Sequence, residues 1–411
     1  MRKGKSLFGR SLVWLAIFPL ALAFNFFNLQ MPSAIAAETV TVGVLTDLSG
    51  TLSLPGQEML QGFQVAVDEW NEKRGIKNKK IVIEVDDDEG KPAVGLRKAE
   101  KMVLSKGIKY IAGTVNSGVA LAISAKAPEW DIIYLTAGAK VVDITGKSWN
   151  KNTFRRNRND DQDMMIVSAW LDDHPELKTW YCIGADYVWG RGNVAAFKKI
   201  AEAKGRTIVG EVFPEIGNKD YGSQIIKIIE KKPDAVWAAL SGSWAIDFIK
   251  QAKSFGLSDK AKIAGVLLTP ESVVRAAGPA AIGLYGNLNY AVDINTPENI
   301  NFKKRFQNKF KRVPTGFNVE GYVAAVMLFN GIAKAKSEAP KDVIQALEGL
   351  EYSSPLGKEL VRKEDHQVLA PNYMGIVIKS EKDPGGVVTK VEKAYSREKG
   401  AVPLDKTGLK R

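Results

Sequence analysis

The chain has 411 residues, with 58 Lys and Arg against 46 Asp and Glu, one cysteine and two histidines. Four basic residues fall in the first ten positions, and the remaining excess of eight is dispersed and interleaved with acids, as in Lys98-Ala99-Glu100-Lys101, so the clustered basic footprint of a nucleic-acid binder is absent. A lone Cys182 in an apolar run, with His174 and His366 in charged stretches, excludes an internal disulfide and a Cys/His zinc set and offers little for a Ser-His-Asp triad.

The chain opens on Arg2, Lys3, Lys5 and Arg10, runs into an apolar stretch from Leu12 to Phe27, and reaches Ala34-Ile35-Ala36. That layout predicts a secretory signal over residues 1–36, cleaved near Ala37. Asn25 and Asn28 interrupt the apolar run, which argues against a retained anchor, and no cysteine lies near the cleavage point to carry a lipid. The expectation is a soluble periplasmic or extracytoplasmic protein with no stable membrane insertion after cleavage. What remains is too long for one compact core and predicts two lobes.

Strand and helix patterns alternate from the start of the mature chain. Val40 to Leu45 reads as a strand, and Leu60, Phe63, Val67 and Trp70 recur at helical spacing. Ile81–Val85, Pro92–Leu104, Ile108–Ala112, Val119–Ala127 and Ile132–Thr136 continue the alternation, which implies right-handed βαβ units and a parallel sheet. Lys147 to Asp163, rich in charge and poor in apolar residues, reads as a linker. The pattern then restarts with strands at Trp180–Ile183, Thr207–Phe213, Ala235–Leu240 and Ile263–Leu267 and helices at Asn193–Ala203, Ser223–Ile229 and Ala245–Ala252. Helical segments at Phe302–Phe310, Gly321–Ala335 and Val343–Leu350 pack back on the first lobe. Met374–Ile378 and Val387–Val391 flank the turn Asp383-Pro384-Gly385-Gly386 as a strand pair, and Lys399 to Arg411 reads as a loosely held tail. The predicted fold is α/β: two Rossmann-like lobes with parallel sheets joined by multiple crossovers, lobe one over 38–158 and 293–356 and lobe two over 159–292 and 357–411.

In such sheets ligands gather beyond the carboxyl ends of strands. The loop Gly113-Thr114-Val115-Asn116-Ser117-Gly118 runs into a helix, where the Ser117 hydroxyl could hold a carboxylate, although a plain helix cap fits the spacing as well. The next strand ends in Thr136-Ala137-Gly138-Ala139-Lys140, a small-residue turn with a cation beside it.

With Gly43-Val44-Leu45-Thr46-Asp47-Leu48-Ser49-Gly50, Gly62 through Glu69 and Asp86-Asp87-Asp88-Glu89, these blocks make the mature chain resemble the branched-chain amino-acid-binding protein family, exported solute receptors of ABC importers with the type I periplasmic binding protein fold. Asn116-Ser117 and the stretch from Phe154 to Gln162 look closer to the branch associated with aromatic acids and amides. The resemblance implies a two-lobe clamp that closes on a small carboxylate-bearing ligand and then docks on a membrane permease, as a monomer, with no enzyme activity and no cofactor. It implies that Ser117, Gly138, Ala139 and Lys140 hold the ligand carboxylate. Lysine at 140 departs from the small hydroxyl residue that amino-acid receptors favour there; it could pair with the carboxylate or point away and leave its amide to act. Trp189 matches a lobe-two position that is often aromatic, with Tyr187, Ser241 and Trp244 in neighbouring loops, as ligand-stacking or packing residues. Glu271 lies in the loop expected to supply a carboxylate for a ligand ammonium.

Three further signals are weighed against this. Asp86 to Glu89 lacks EF-hand spacing and reads as a loop cap, not a metal site. Gly190-Arg191-Gly192-Asn193-Val194-Ala195 fits G-x-G-x-x-A with Glu211 downstream, the fingerprint of an NAD-dependent enzyme, but Asp186 to Trp189 separate it from its strand. A sensing receptor with the same fold and cleft is the remaining alternative.

Overall fold

The computed structural model describes residues 38–409; the expected signal segment lies outside them. Among these residues the first sheet joins β1 (Thr39–Thr46), β2 (Lys80–Asp87), β3 (Tyr110–Gly113), β4 (Ile133–Thr136) and β5 (Thr153–Arg155) in the parallel order β2-β1-β3-β4-β5. Helices α1 (Ser53–Glu72), α2 (Pro92–Glu100) and α3 (Ser117–Lys126) make its right-handed connections. Every residue of β3 and β4 is buried, as a parallel strand covered on both faces must be.

After α4 (Asp160–Asp173) the plan repeats. Strands β6 (Thr179–Gly184), β7 (Thr207–Val212), β8 (Ala235–Ala239), β9 (Lys262–Gly265) and β10 (Tyr285–Leu288) run parallel in the order β7-β6-β8-β9-β10, linked by α5 (Val188–Ala203), α6 (Gly222–Lys231), α7 (Gly242–Ser254) and α8 (Glu271–Ala277). Both sheets thus have the order 2-1-3-4-5, which places a topological switch point between β1 and β3 and another between β6 and β8.

The chain returns to the first sheet through α9 (Pro297–Phe310), α10 (Gly316–Lys334) and α11 (Pro340–Leu347). Helix α10 lies directly on α1: a Cβ on Gly62 would sit 1.7 Å from the Asn318 carbonyl oxygen, and one on Gly321 1.9 Å from that of Met59. Only glycine at both positions lets the two backbones touch. Strands β11 (Glu351–Ser354), β12 (Gly357–Val361) and β13 (Val368–Leu369) then form a small antiparallel sheet whose Gln367 bridges to Arg155 at the end of β5. The return to lobe two expected at 357 therefore comes later: the chain reaches the second sheet with β14 (Asn372–Lys379), antiparallel to β10, and ends it with β15 (Val387–Tyr395). The tail is tied down at Val402, which is buried and accepts a hydrogen bond from Arg362 Nη1 (2.6 Å).

Lys147 to Asp163, expected as a highly polar linker at a lobe boundary, is largely buried. Residues 152–160 are all buried, and the Asn159 side chain and Gln162 form a capping box that starts α4. Arg158 and Arg156 are ion-paired, and Arg155 is held by neutral oxygens, among them Gln367 Oε1 (2.7 Å). Asp163 Oδ2 accepts from Lys140 Nζ (2.6 Å) and Asp163 Oδ1 from Arg158 Nε (2.8 Å). Arg158 Nη2 also donates to Asn287 Oδ1 (2.6 Å), the Leu288 carbonyl (3.1 Å) and Asn289 Oδ1 (2.9 Å), at the end of β10 where the second passage between the sheets begins. Gln162 Nε2 donates to the Val368 carbonyl (3.1 Å) and Gln367 Nε2 to that of Asn157 (2.9 Å), on the third. Arg156 Nη2 pairs with Glu359 Oε1 at 2.9 Å. Burial would raise the Asp163 carboxyl, yet Lys140 and Arg158 hold it below its ordinary value.

Asp163→Asn would leave two buried cations without their shared anion. It is expected to lower unfolding stability by about 3–5 kcal/mol, read as a lower urea midpoint; a loss within about 0.5 kcal/mol, the usual surface range, would show the cluster to be incidental.

Candidate functional site

The loops at the two switch points face each other. From the first sheet come Leu52 after β1, Val115 and Ser117 after β3, and Gly138 and Lys140 after β4; from the second come Tyr187 and Trp189 after β6, Ser241 after β8 and Leu267 after β9. Phe317 and Glu320 of α10 complete a small cavity. The loops touch around it: Ser243 Oγ donates to the Thr51 carbonyl (3.4 Å), and Ser272 Oγ of α8 to Glu58 Oε2 of α1 (3.0 Å).

Ser117 is the first residue of α3, but it is not the cap. Asn116 Oδ1 takes the amides of Gly118 (2.8 Å) and Val119 (3.2 Å), which frees the Ser117 hydroxyl to face the cavity while accepting a long bond from Val141 N–H (3.4 Å). Along the neighbouring turn, Ala137 N–H and Gly138 N–H donate to the carbonyls of Gly113 (2.9 Å) and Thr114 (3.1 Å), whereas the amides of Ala139 and Lys140 have no such partner among the described residues. The Lys140 side chain turns away to Asp163 and to the Arg158 carbonyl (3.3 Å), so its charge is spent inside the protein.

Across the cavity, Trp189 is held by its Nε1–H, which donates to Asp160 Oδ1 (3.0 Å). Asp160 also accepts from Asn193 Nδ2 (2.6 Å), and Asn193 from Trp237 Nε1 (2.9 Å), so the ring orientation is set by a buried chain. Burial pushes the Asp160 carboxyl up to about 7 despite Asn193 and Lys140. Tyr187 packs 6.0 Å from Trp189, between ring centroids. The Ser241 hydroxyl lines the cavity, is buried and has no partner among the described residues. An unsatisfied buried donor costs about 1–3 kcal/mol, so this is a group that a ligand can satisfy.

Three expected residues do not line the cavity: Ala139, although its neighbours Gly138 and Lys140 do, Trp244 and Glu271. Trp244 stands behind Tyr187 (5.9 Å between centroids) and does not reach the cavity surface. Glu271 lines two other cavities, the larger about 290 Å³. Its Oε2 accepts the Gly316 amide at the start of α10 (3.3 Å), where burial raises its carboxyl to about 7. It joins α8 to α10 because the loop after β9 leads into α8 and away from the switch point. The residue missed from sequence is Glu320, 2% exposed, the one charge in α10 before Lys334. A lone acid in an apolar helix was the available signal. Its carboxyl is pushed up to about 7 by burial, which Lys140, Arg156 and Arg158 partly offset.

The glycine-rich motif lies inside α5, where a Cβ on Gly190 would sit 2.0 Å from the Ala185 carbonyl oxygen. Gly190 thus serves the close packing of α5 on the residue after β6, Gly192 faces open space, and Glu211 pairs with Lys198 (2.8 Å). The acidic loop caps itself: Asp87 Oδ1 takes the amides of Leu48 (2.9 Å) and Glu89 (2.8 Å), and Asp88 Oδ1 that of Gly90 (2.9 Å).

Comparison with known proteins bears on the family and the fold. A family model described as periplasmic binding protein matches residues 39–382. The chain is 28% identical to the Leu/Ile/Val-binding protein BraC3 of Rhizobium johnstonii over 327 residues, 79% of this chain and 88% of that protein. Leu/Ile/Val-binding protein homolog 1 of Brucella suis is 27% identical over 84% and 92%. Among solved structures, an amino acid ABC transporter substrate-binding protein from Pseudomonas fluorescens superposes with a TM-score of 0.82 at 23% identity, over 92% of this chain and all of that one. A solute-binding protein of an R. palustris ABC transporter in complex with benzoate superposes with a TM-score of 0.79 at 26% identity, over 87% and 98%.

Beneath the Ser117 loop, Asp47 Oδ2 accepts the amides of Val115 (3.3 Å) and Asn116 (3.4 Å), and Asp88 lies beside it. Burial raises Asp47 to about 6, and burial with the Asp47 charge raises Asp88 to about 8. The folded pair keeps protons that unfolded carboxyls release, so its contribution is full below the ordinary 3.8 and is lost as pH rises through about 8. The urea midpoint is expected to fall between about pH 5 and about pH 8, and Asp88→Asn to flatten that slope; an unchanged slope in the variant would place the titration elsewhere.

Proposed function

The chain belongs to the periplasmic binding protein family, and from that premise we propose that it is the extracytoplasmic solute-binding component of an ABC transporter, which captures a small carboxylate-bearing ligand between its lobes and delivers it to membrane permease subunits. The ligand is a branched-chain or other apolar amino acid, or an aromatic acid. The observation that carries this reading is the convergence of both switch points on one small cavity, with the free Ser117 hydroxyl and the unspent amides of Ala139 and Lys140 on one side and Tyr187, Trp189 and the unsatisfied Ser241 on the other. The names of its relatives support the same ligand classes: proteins named for Leu, Ile and Val, and a solute receptor holding benzoate.

The mechanism needs no bond chemistry. The first lobe takes the carboxylate at Ser117 and the Ala139–Lys140 turn, and the second closes its aromatic residues over the apolar part. A ligand that touches both lobes binds the closed form better than the open form and shifts the equilibrium by that difference. The closed protein is what the permease meets. The protein acts as a monomer and, among the described residues, no helix is long and apolar enough to cross a membrane.

Thermal unfolding of the mature protein against apolar amino acids and aromatic acids tests this. A ligand at about a hundred times its Kd adds about 2.7 kcal/mol and raises Tm by several degrees. Ser117→Ala removes a charge-assisted bond of about 1.5–3 kcal/mol and should weaken the best ligand at least several-fold; full affinity in that variant would move the carboxylate away from α3. Trp189→Ala should weaken ligands in proportion to their apolar size, and a uniform loss would mark Trp189 as structural instead.

A further inference from the structure

The carboxylate-capturing reading leaves one charge in the cavity without a role. Glu320, on the second turn of α10, lines the cavity beside Phe317 and accepts no hydrogen bond among the described residues. The charged groups facing it are Lys140, Arg156, Arg158 and Asp163. Each cation is committed: Lys140 and Arg158 to Asp163 (2.6 and 2.8 Å) and Arg156 to Glu359 (2.9 Å). They favour an ionised Glu320 through space, yet none donates to it. A buried carboxylate with no donor is costly, and the open side of this one is the cavity.

We propose that Glu320 is a specificity-determining residue of the cleft, favouring ligands that carry an ammonium group as well as the carboxylate and disfavouring plain aromatic or aliphatic acids. The proposal rests on the cleft reading above and sharpens it. An ammonium in the same cavity as Ser117 would supply the donors that Glu320 lacks. An acid with a single negative charge and no donor would place its apolar edge against the carboxylate and leave it unsatisfied, and Lys140, turned to Asp163, would not compensate.

The decisive experiment is calorimetric titration of the full mature protein with matched pairs: leucine against 4-methylpentanoate, and phenylalanine against 3-phenylpropanoate. In the wild type the ammonium-bearing member of at least one pair should bind about tenfold tighter or more, the factor a charge-assisted hydrogen bond supplies. Glu320→Gln should erase most of that preference and leave the deaminated acid's affinity equal or improved. Because Glu320 takes up a proton near neutrality, lowering the pH of the wild type should weaken the amino acid and strengthen the plain acid, a pair of opposite slopes that needs no variant. Tighter binding of the deaminated acids, or an undiminished preference in Glu320→Gln, overturns the role of Glu320 while leaving the cleft reading intact. Binding of neither member of either pair, with aromatic acids such as benzoate also silent, overturns the cleft reading itself.

Discussion

The structure depends on one buried ion cluster. Asp163, at the start of α4, binds Lys140 from the turn after β4 and Arg158 from the first passage between the sheets, and Arg158 in turn grips the second passage at Asn287, Leu288 and Asn289. Removing these three charges from water is expensive and is offset only when the geometry satisfies each of them. That requirement fixes where the passages run relative to one another. It also fixes the Lys140 turn, whose backbone borders the cavity, and it keeps the lysine charge out of the site.

From that anchor the rest of the cleft follows by topology and close packing. Two sheets with the same strand order present their switch points to each other, so the loops after β1 and β3 meet those after β6 and β8. The glycine contact between α1 and α10 brings Phe317 and Glu320 to the same place, and the Asp160 chain sets the Trp189 ring opposite. On the proposed reading, affinity comes from groups that closure leaves for a ligand to complete: the Ser117 and Ser241 hydroxyls, two amides of a tight turn and one carboxylate. Burying an apolar side chain against Tyr187 and Trp189 adds about 25 cal/mol per Å² of apolar surface removed from water.

Much of this was legible in the residues. Hydrophobic periodicity located most strands and helices of both sheets, and the rule that ligands sit beyond strand ends, with the family resemblance, brought Ser117, Gly138, Lys140, Tyr187, Trp189 and Ser241 to what proves to be a single cavity. The failures share a cause. Lys147 to Asp163 reads as a plain polar linker because its partners, Glu359, Gln367 and Asn287, stand more than a hundred residues away, and composition cannot see pairing at that range. Helix α4 was hidden by the same charges. Glu271 was placed by loop position alone, whereas its side chain is claimed by the amide at the start of α10. Glu320 went unnoticed because its helix is read from the apolar residues around it.

The central claim is that the solute binds where the two switch points meet. A crystal structure of the mature protein with its tightest ligand tests this most directly. The account predicts closed lobes, the ligand carboxylate within hydrogen-bonding distance of Ser117 Oγ and the Lys140 amide, and its apolar part against Tyr187 and Trp189. Ligand density in the larger cavity beside Glu271 and Arg275, with the cleft unchanged, would contradict it.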